Sequence, residues 1–452
     1  MSGAHRPNSR LRHLLREAGW TGQALAREVN ALGAESGLVL RYQRPSVAQW
    51  LNGTRPRNPV PQLVAEAFSR RLGRPVSVTD AGWAAGDEGG RSMVCPQPPD
   101  SPSDLIDLAR GALQEGTEPL TLYSTAALRE CLHEAAYRNL SPPRVPPKTR
   151  RVGKAEIGGA RAMLGLFSEL DRIHGGGHIR APLASYLATT IAPWLQSQSG
   201  PSVREELLTA ASQLAYLCAF AHFDEGRQGT SQRYYRTALS LASEAGSEKE
   251  MSLTLRGLSV QAYCLGHFSE AKSLADAAID RAGTEPPAYR LAALVGQQAV
   301  ATAAVGSRRD ALAQLIRAEG ILGRTPDTVS PVGAYHHASL AHQQAEVRAA
   351  LGDTPGALAA LRTSVRIRPP DERRSRALVL NRLAELQLRL GHVEAACATW
   401  QLFLGEYPSL RSHRSDAAIA SMRSLVRPYS GNHAVTALLT KAGTLSTGLP
   451  SH

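Results

Sequence analysis

The chain has 452 residues and a formal charge of +12, with 43% hydrophobic and only 5% aromatic residues. That length exceeds one ordinary core, so a small domain beside a larger one or an array is expected. The apolar share excludes a wholly disordered chain, and abundant Ala and Leu with few aromatics favours packed helices over a β-sandwich.

Charge is concentrated at the start. Residues 1–79 carry 12 arginines, no lysine and four acids, a balance of +8. Arginine's planar fork suits phosphates and guanine edges. Only five lysines occur in the whole chain, so codon bias accounts for the preference for Arg but leaves its clustering to be explained. The five cysteines, at 95, 131, 218, 264 and 397, lack the paired spacing of a zinc or redox site. Their odd count closes no disulfide framework and fits a reducing cytoplasm. The N-terminus MSGAHRPNSR has no apolar h-region, and no run of about 18 apolar residues follows, so neither a secretory signal nor a membrane span is expected.

In chain order, RLRHLLREAG predicts a helix with Leu11, Leu14 and Leu15 on one face; Gly19-Trp20 interrupts it. TGQALAREVNALG predicts a second helix with Leu25, Val29 and Leu32 inward and Thr21 as N-cap. ESGLVLRYQR is ambiguous. Pro45 opens a short helix through SVAQWL that ends at Asn52-Gly53, PRNPVP is extended, and QLVAEAFSRRLG closes a unit by residue 83. Residues 86–102 have linker composition, a helical island follows, and a Pro-rich basic connector spans 141–154. The two connectors are expected to bracket a mobile segment.

From about 155 onward the pattern is helical, and one unit recurs: a turn glycine, then a small residue opening the next helix. The copies start at Gly226 (with Ser231, Tyr235, Ala238), Gly266 (Ala271, Ala275, Ala278) and Gly306 (Ala311, Leu315, Ala318). Two more start at Gly352 (Ala357, Leu361, Ser364) and Gly391 (Ala396, Trp400, Phe403). The glycine ends one helix and the small residue lets its partner press close, while stacked pairs bury what one hairpin cannot. These residues resemble tetratricopeptide repeats.

SVAQWLNGTRPR resembles the end of a recognition helix in the phage-repressor-like helix-turn-helix class: an aromatic, then Gly, a basic residue and Pro, here Trp50, Gly53, Arg55 and Pro56. LAREV, with Leu25 and Ala26, resembles the first motif helix. The resemblance implies that Arg44, Ser46 and Gln49 reach base edges, Arg55 and Arg57 hold phosphates, and Trp50, Val47 and Leu51 face the core. About ten residues separate the two helices here, where the class has a tight turn of three or four. A protein-docking helical domain with solvated arginines is therefore the alternative.

With GWTGQALAREVNALG and LDRIHGGGHIRAPLASYLATTIAPWL, the arrangement resembles actinobacterial transcriptional regulators that join a degenerate repressor-like domain to tetratricopeptide repeats. Some of these govern differentiation and antibiotic production.

In such an array, positions three, six and ten before each turn glycine face the concave side. They nominate an effector groove of Tyr216, Phe220, Arg256, Tyr263, His342 and Asn381, in which Arg256 binds a peptide carboxylate and Asn381 a backbone amide. A dimerisation or partner surface is the plainer reading. Asp171, His174 and His178 suggest a metal, but three glycines loosen their geometry and a helix end with a turn accounts for them better.

No phosphate loop, nucleophile elbow or paired carboxylate set appears, so no enzyme, cofactor or metal is expected. The expected fold is all-α: a helix-turn-helix-like domain (1–83), a linker with a helical island (84–154), a tetratricopeptide-like α-solenoid (155–442) and a tail (443–452). The expected function is a cytoplasmic, homodimeric regulator binding double-stranded DNA, with a peptide or protein effector. A repeat scaffold docking partner proteins is the alternative.

Overall fold

The computed structural model describes residues 7–83 apart from 37 and 75, then 101–113, 121–136, 152–323 apart from 285, and 334–447. Residues 86–100 of the predicted linker, 141–151 of the second connector and the last five residues of the tail lie outside the described residues. The described residues form helices and no strand.

The first unit holds α1 (Ser9–Glu17), α2 (Gly22–Glu35), α3 (Arg44–Leu51) and α4 (Val60–Leu72). Asn8 accepts from the Leu11 amide at 2.9 Å and Thr21 from that of Ala24 at 3.1 Å, satisfying donors that open α1 and α2. Leu11, Leu14, Leu15, Leu25, Val29 and Leu32 share one core with Val47, Trp50, Leu63 and Phe68. Trp83 closes it edge-on to Trp50, with ring centroids 6.5 Å apart.

The island supplies α5 (Ser101–Leu113) and α6 (Thr125–Ala136), followed by α7 (Lys154–His174), α8 (Gly176–Tyr186), a π turn (Leu187–Ile191) and α9 (Ala192–Leu195). The predicted helical island is helical, and it is packed against the array. Leu105, Leu108, Ala109, Leu128 and Cys131 are buried in the same core as Ile157, Leu183 and Leu214. These residues of the island are covered by the array's helices.

Antiparallel pairs follow: α10 (Pro201–Asp224) with α11 (Gln228–Glu244), α12 (Glu248–Cys264) with α13 (Phe268–Asp280), and α14 (Ala288–Ala304) with α15 (Arg308–Leu322). Then come α16 (His337–Ala350) with α17 (Thr354–Ile367) and α18 (Arg373–Arg389) with α19 (Val393–Glu406). α20 (His413–Val426) and α21 (His433–Thr447) cover the last pair, so helix extends into the predicted tail. This is an α-solenoid arrangement of adjacent helix pairs.

The five turn glycines, Gly226, Gly266, Gly306, Gly352 and Gly391, all have left-handed backbones, with φ from 74° to 89°. The small residues five positions on, Ser231, Ala271, Ala311, Ala357 and Ala396, have no accessible surface. Each sits where the second helix crosses the first. Ser259 on α12 donates to the Ala271 carbonyl on α13 at 2.7 Å, tying one such crossing.

The curl of the array also closes on itself. Asp171 at the end of α7 pairs with Arg374 at 3.0 Å, and Asp224 at the end of α10 lies 3.8 Å from the same guanidinium. Asp224 accepts from the Gly176 amide and the Ser412 hydroxyl, both at 2.9 Å. The first two glycines of IHGGGHI are needed for this approach. A Cβ on Gly175 would lie 2.6 Å from the Arg411 carbonyl oxygen, and one on Gly176 would lie 2.6 Å from that of Ala221. Burial raises the Asp171 carboxyl to about 6, Arg374 pulling it down and Asp224 adding to the rise.

Candidate nucleic-acid interface

The helix α3 is held by α2 at three points. Gly22 lets the two helices close in: a Cβ there would sit 3.4 Å from Val47 Cγ1. No side chain at position 43 caps α3, and instead Gln23 Oε1 accepts from the Arg44 amide at 3.2 Å. The connection 36–43 is pinned as well. The Asn30 side chain donates to the Tyr42 carbonyl and accepts from the Tyr42 amide, both at 2.9 Å. Leu40 packs over Gly33, where a Cβ would run into it. The inserted segment is thus tied to α2 at its far end and covered at its near end.

At 100° per residue, Trp50, Val47 and Leu51 fall within one arc of about 100° on α3, and Arg44, Ala48, Asn52 and Gln49 span the adjoining arc of about 140°, with Arg44 next to Leu51. Val47 and Trp50 are buried, and Trp50 meets Tyr42 edge-on at 5.2 Å. Arg44, Ala48, Gln49 and Asn52 are exposed. Ser46 is half-buried at the margin of that arc, while Arg55 and Arg57 are exposed just beyond the helix. Asn52, within the arc, and exposed Arg41, just before α3, were missed from the sequence. Asn52 reads as a helix stop and Arg41 lies in the ambiguous segment.

Four of the unit's five acids are committed elsewhere, Asp80 accepting from the Ser77 amide at 2.8 Å and the Ser77 hydroxyl at 2.7 Å. Glu17 pairs with Arg74 at 2.7 Å, and Glu35 and Glu66 pair with Arg70 at 2.8 and 3.0 Å. Positive charge therefore remains in excess along the α3 edge.

The six groove residues are distributed differently. Tyr216 is buried edge-on to Tyr235 at 5.5 Å, with Gly257 leaving room for both rings. Phe220 lies under the Arg374 guanidinium at 4.5 Å. Arg256 donates to the Ala293 carbonyl at 3.3 Å. Tyr263 donates to Glu346 at 3.3 Å, and His342 lies 3.8 Å from the same carboxylate. Burial pushes His342 down to about 4 against the pull of Glu346, so the ring is neutral at neutral pH. Asn381 donates to Glu385 and accepts from the Trp400 indole at 2.9 Å. Tyr263 and His342 thus meet at Glu346, and each of the six engages a group of the chain itself.

Of the Asp171, His174 and His178 set, Asp171 is committed to Arg374 and His174 Nδ1 lies 3.3 Å from the Ser409 carbonyl. The two imidazoles have centroids 5.0 Å apart. Among the described residues, no group of three or more His, Cys, Asp or Glu side chains is placed to hold a metal. No helix of the described residues is long and apolar enough to cross a membrane, and none of the four described cysteines is in a disulfide.

No curated protein matches the chain. Residues 11–84 match the family model described as the SP15 N-terminal domain, whose bounds agree with the unit that runs from α1 to Trp83.

Proposed function

We propose that the chain is a DNA-binding transcriptional regulator that presents α3 to the major groove. The observation that carries this reading is the exposed arc of α3, with Arg44 and Gln49 flanked by Arg41, Arg55 and Arg57, while three of the unit's five acids pair with arginines elsewhere and a fourth, Asp80, accepts from Ser77. Arg44 and Gln49 match the geometry of guanine and adenine edges, and Arg55 and Arg57 match phosphate contacts that set register. The resemblance to regulators of differentiation and secondary metabolism supports a cytoplasmic location, with the array serving assembly and the reading of a peptide or protein effector.

Arg55→Ala is expected to weaken binding to all duplexes and to flatten its salt dependence by about one counterion. Arg44→Ala or Gln49→Ala is expected to cost about 1–3 kcal/mol mainly on the cognate site. Titrations of cognate and scrambled duplexes at several salt concentrations separate these; equal losses on both duplexes for Gln49→Ala would remove it from base reading.

One domain with two or three base-reading side chains makes too few contacts for genomic specificity, so the active form is a homodimer joined through the array. Since α5 and α6 belong to the array's core, light scattering should use the full chain. A dimer mass at micromolar concentration is expected, and a strictly monomeric mass would remove this part.

A second reading, a scaffold that docks proteins through the first unit, is favoured by Val39. This residue is 85% exposed in the inserted connection beside α3, an apolar contact suited to a protein surface.

A further inference from the structure

Three parts of the chain, α2, α4 and the segment before α6, meet at one guanidinium at the boundary between the first unit and the array. Arg70, in the last turn of α4, donates to both oxygens of Glu35 at 2.9 and 2.8 Å, to Glu66 at 3.0 Å and to the carbonyl of Tyr123 at 2.9 Å. A planar donor with four bonds in its plane has one orientation, so it fixes its partners relative to one another.

The Tyr123 ring, itself buried, stacks on His267 with planes 10° apart and centroids 5.5 Å apart. His267 opens α13, and its Nε2 lies 3.8 Å from Glu35. Glu66 in turn accepts the backbone N–H of Thr125, the first residue of α6.

The segment carrying Tyr123 is fastened to the array. The Gln232 amide on α11 accepts from the Ser124 N–H at 2.9 Å and donates to the Ser124 carbonyl at 2.8 Å. At Gly229 any side chain would overlap the Thr121 carbonyl, so this position on α11 must be glycine for the segment to lie where it does. A bond from Arg70 to Tyr123 is therefore a bond between α4 and the α11–α13 region. α4 shares its core with α2 and α3 through Leu63, Phe68, Leu25 and Val47.

We propose that Arg70, Tyr123 and His267 form a joint through which the helical array sets the placement of the first unit, so that a shift of α13 against α11 is passed to α4 and on to α3. Its consequence for DNA rests on the proposed function; the joint itself does not. An effector or a second copy that reshapes the array has a defined route to the recognition surface, made of rigid groups in direct contact.

The test uses the full chain and two variants, Arg70→Gln and His267→Ala, the second lying on the array and outside the core of the first unit. Hydrogen exchange is read at residues 121–125 and at the end of α4, with the amides around Leu25 reporting that the first unit stays folded. Small-angle scattering reads the maximum dimension. Exchange about tenfold faster at 121–125 with unchanged protection around Leu25, and a longer maximum dimension, is expected for both variants. Wild-type protection and dimension in His267→Ala would overturn the joint, whatever Arg70→Gln does. Retardation of duplex DNA separates the two claims. If the wild type retards no duplex, the functional reading fails and the exchange result still decides the joint. If the joint loosens and the half-saturation point on DNA stays within twofold of wild type, the control role is overturned.

Discussion

Replacing Ala271 with glutamate is expected to lower the thermal midpoint of the array by about 10 °C, the equivalent of several kcal/mol. Ala271 has no accessible surface and lies at the crossing of α12 and α13, where its carbonyl accepts from Ser259 at 2.7 Å. A carboxylate there either buries its charge without a partner or forces the helices apart and breaks that bond. Because each pair is stacked between neighbours, losing one pair uncovers the faces of α11 and α14 as well. Calorimetry or circular dichroism on the purified variant decides the matter, and a midpoint equal to that of wild type would displace the proposed packing register.

The second large effect is expected at the closure of the curl. Arg374→Met removes the cation between two buried carboxylates, Asp171 at 3.0 Å and Asp224 at 3.8 Å, and the loss is about 3–5 kcal/mol. The pH dependence has a definite sign. Asp171 has a folded value of about 6, above the ordinary 3.8. Its contribution is therefore fully present below about pH 4 and is lost as the pH rises through 6. Without Arg374 the carboxyl rises further, so the deficit of the variant should be largest near pH 8 and shrink toward pH 4.5. Equal deficits at both pH values would mean that the pair is not what closes the array.

The features legible in the sequence are the local ones. The turn glycines and the small residues that follow them obey a period and a backbone requirement that operate within one hairpin, so Gly266 predicts a left-handed turn and Ala271 a crossing without any knowledge of the rest. Leu11, Leu25, Val47 and Trp50 reveal their core side in the same way.

What the sequence hides is the meeting of distant residues. Nothing near Asp171 announces Arg374, about 200 positions away, so the helix end and turn are legible while the buried ion pair that Asp171 makes there is not. The glycines beside it read as a loose turn, because the carbonyls of Ala221 and Arg411 that exclude a side chain are invisible from the local pattern. The island's helices are legible from Leu105, Leu108, Leu128 and Cys131 at helical spacing, whereas the core they enter, with Ile157, Leu183 and Leu214, is not. At the proposed interface, Arg44 and Gln49 were legible from the motif, whereas Asn52 and Arg41 required the arc of α3 to be drawn.

The central claim is that α3 reads DNA. Mapping the occupancy of the tagged full-length protein across its genome tests it most directly. Recurrent enrichment of one sequence, arranged as two half-sites and lost for Arg44→Ala with Gln49→Ala, is the expected result. Occupancy with no recurrent sequence, or occupancy that the double variant leaves intact, would contradict the account.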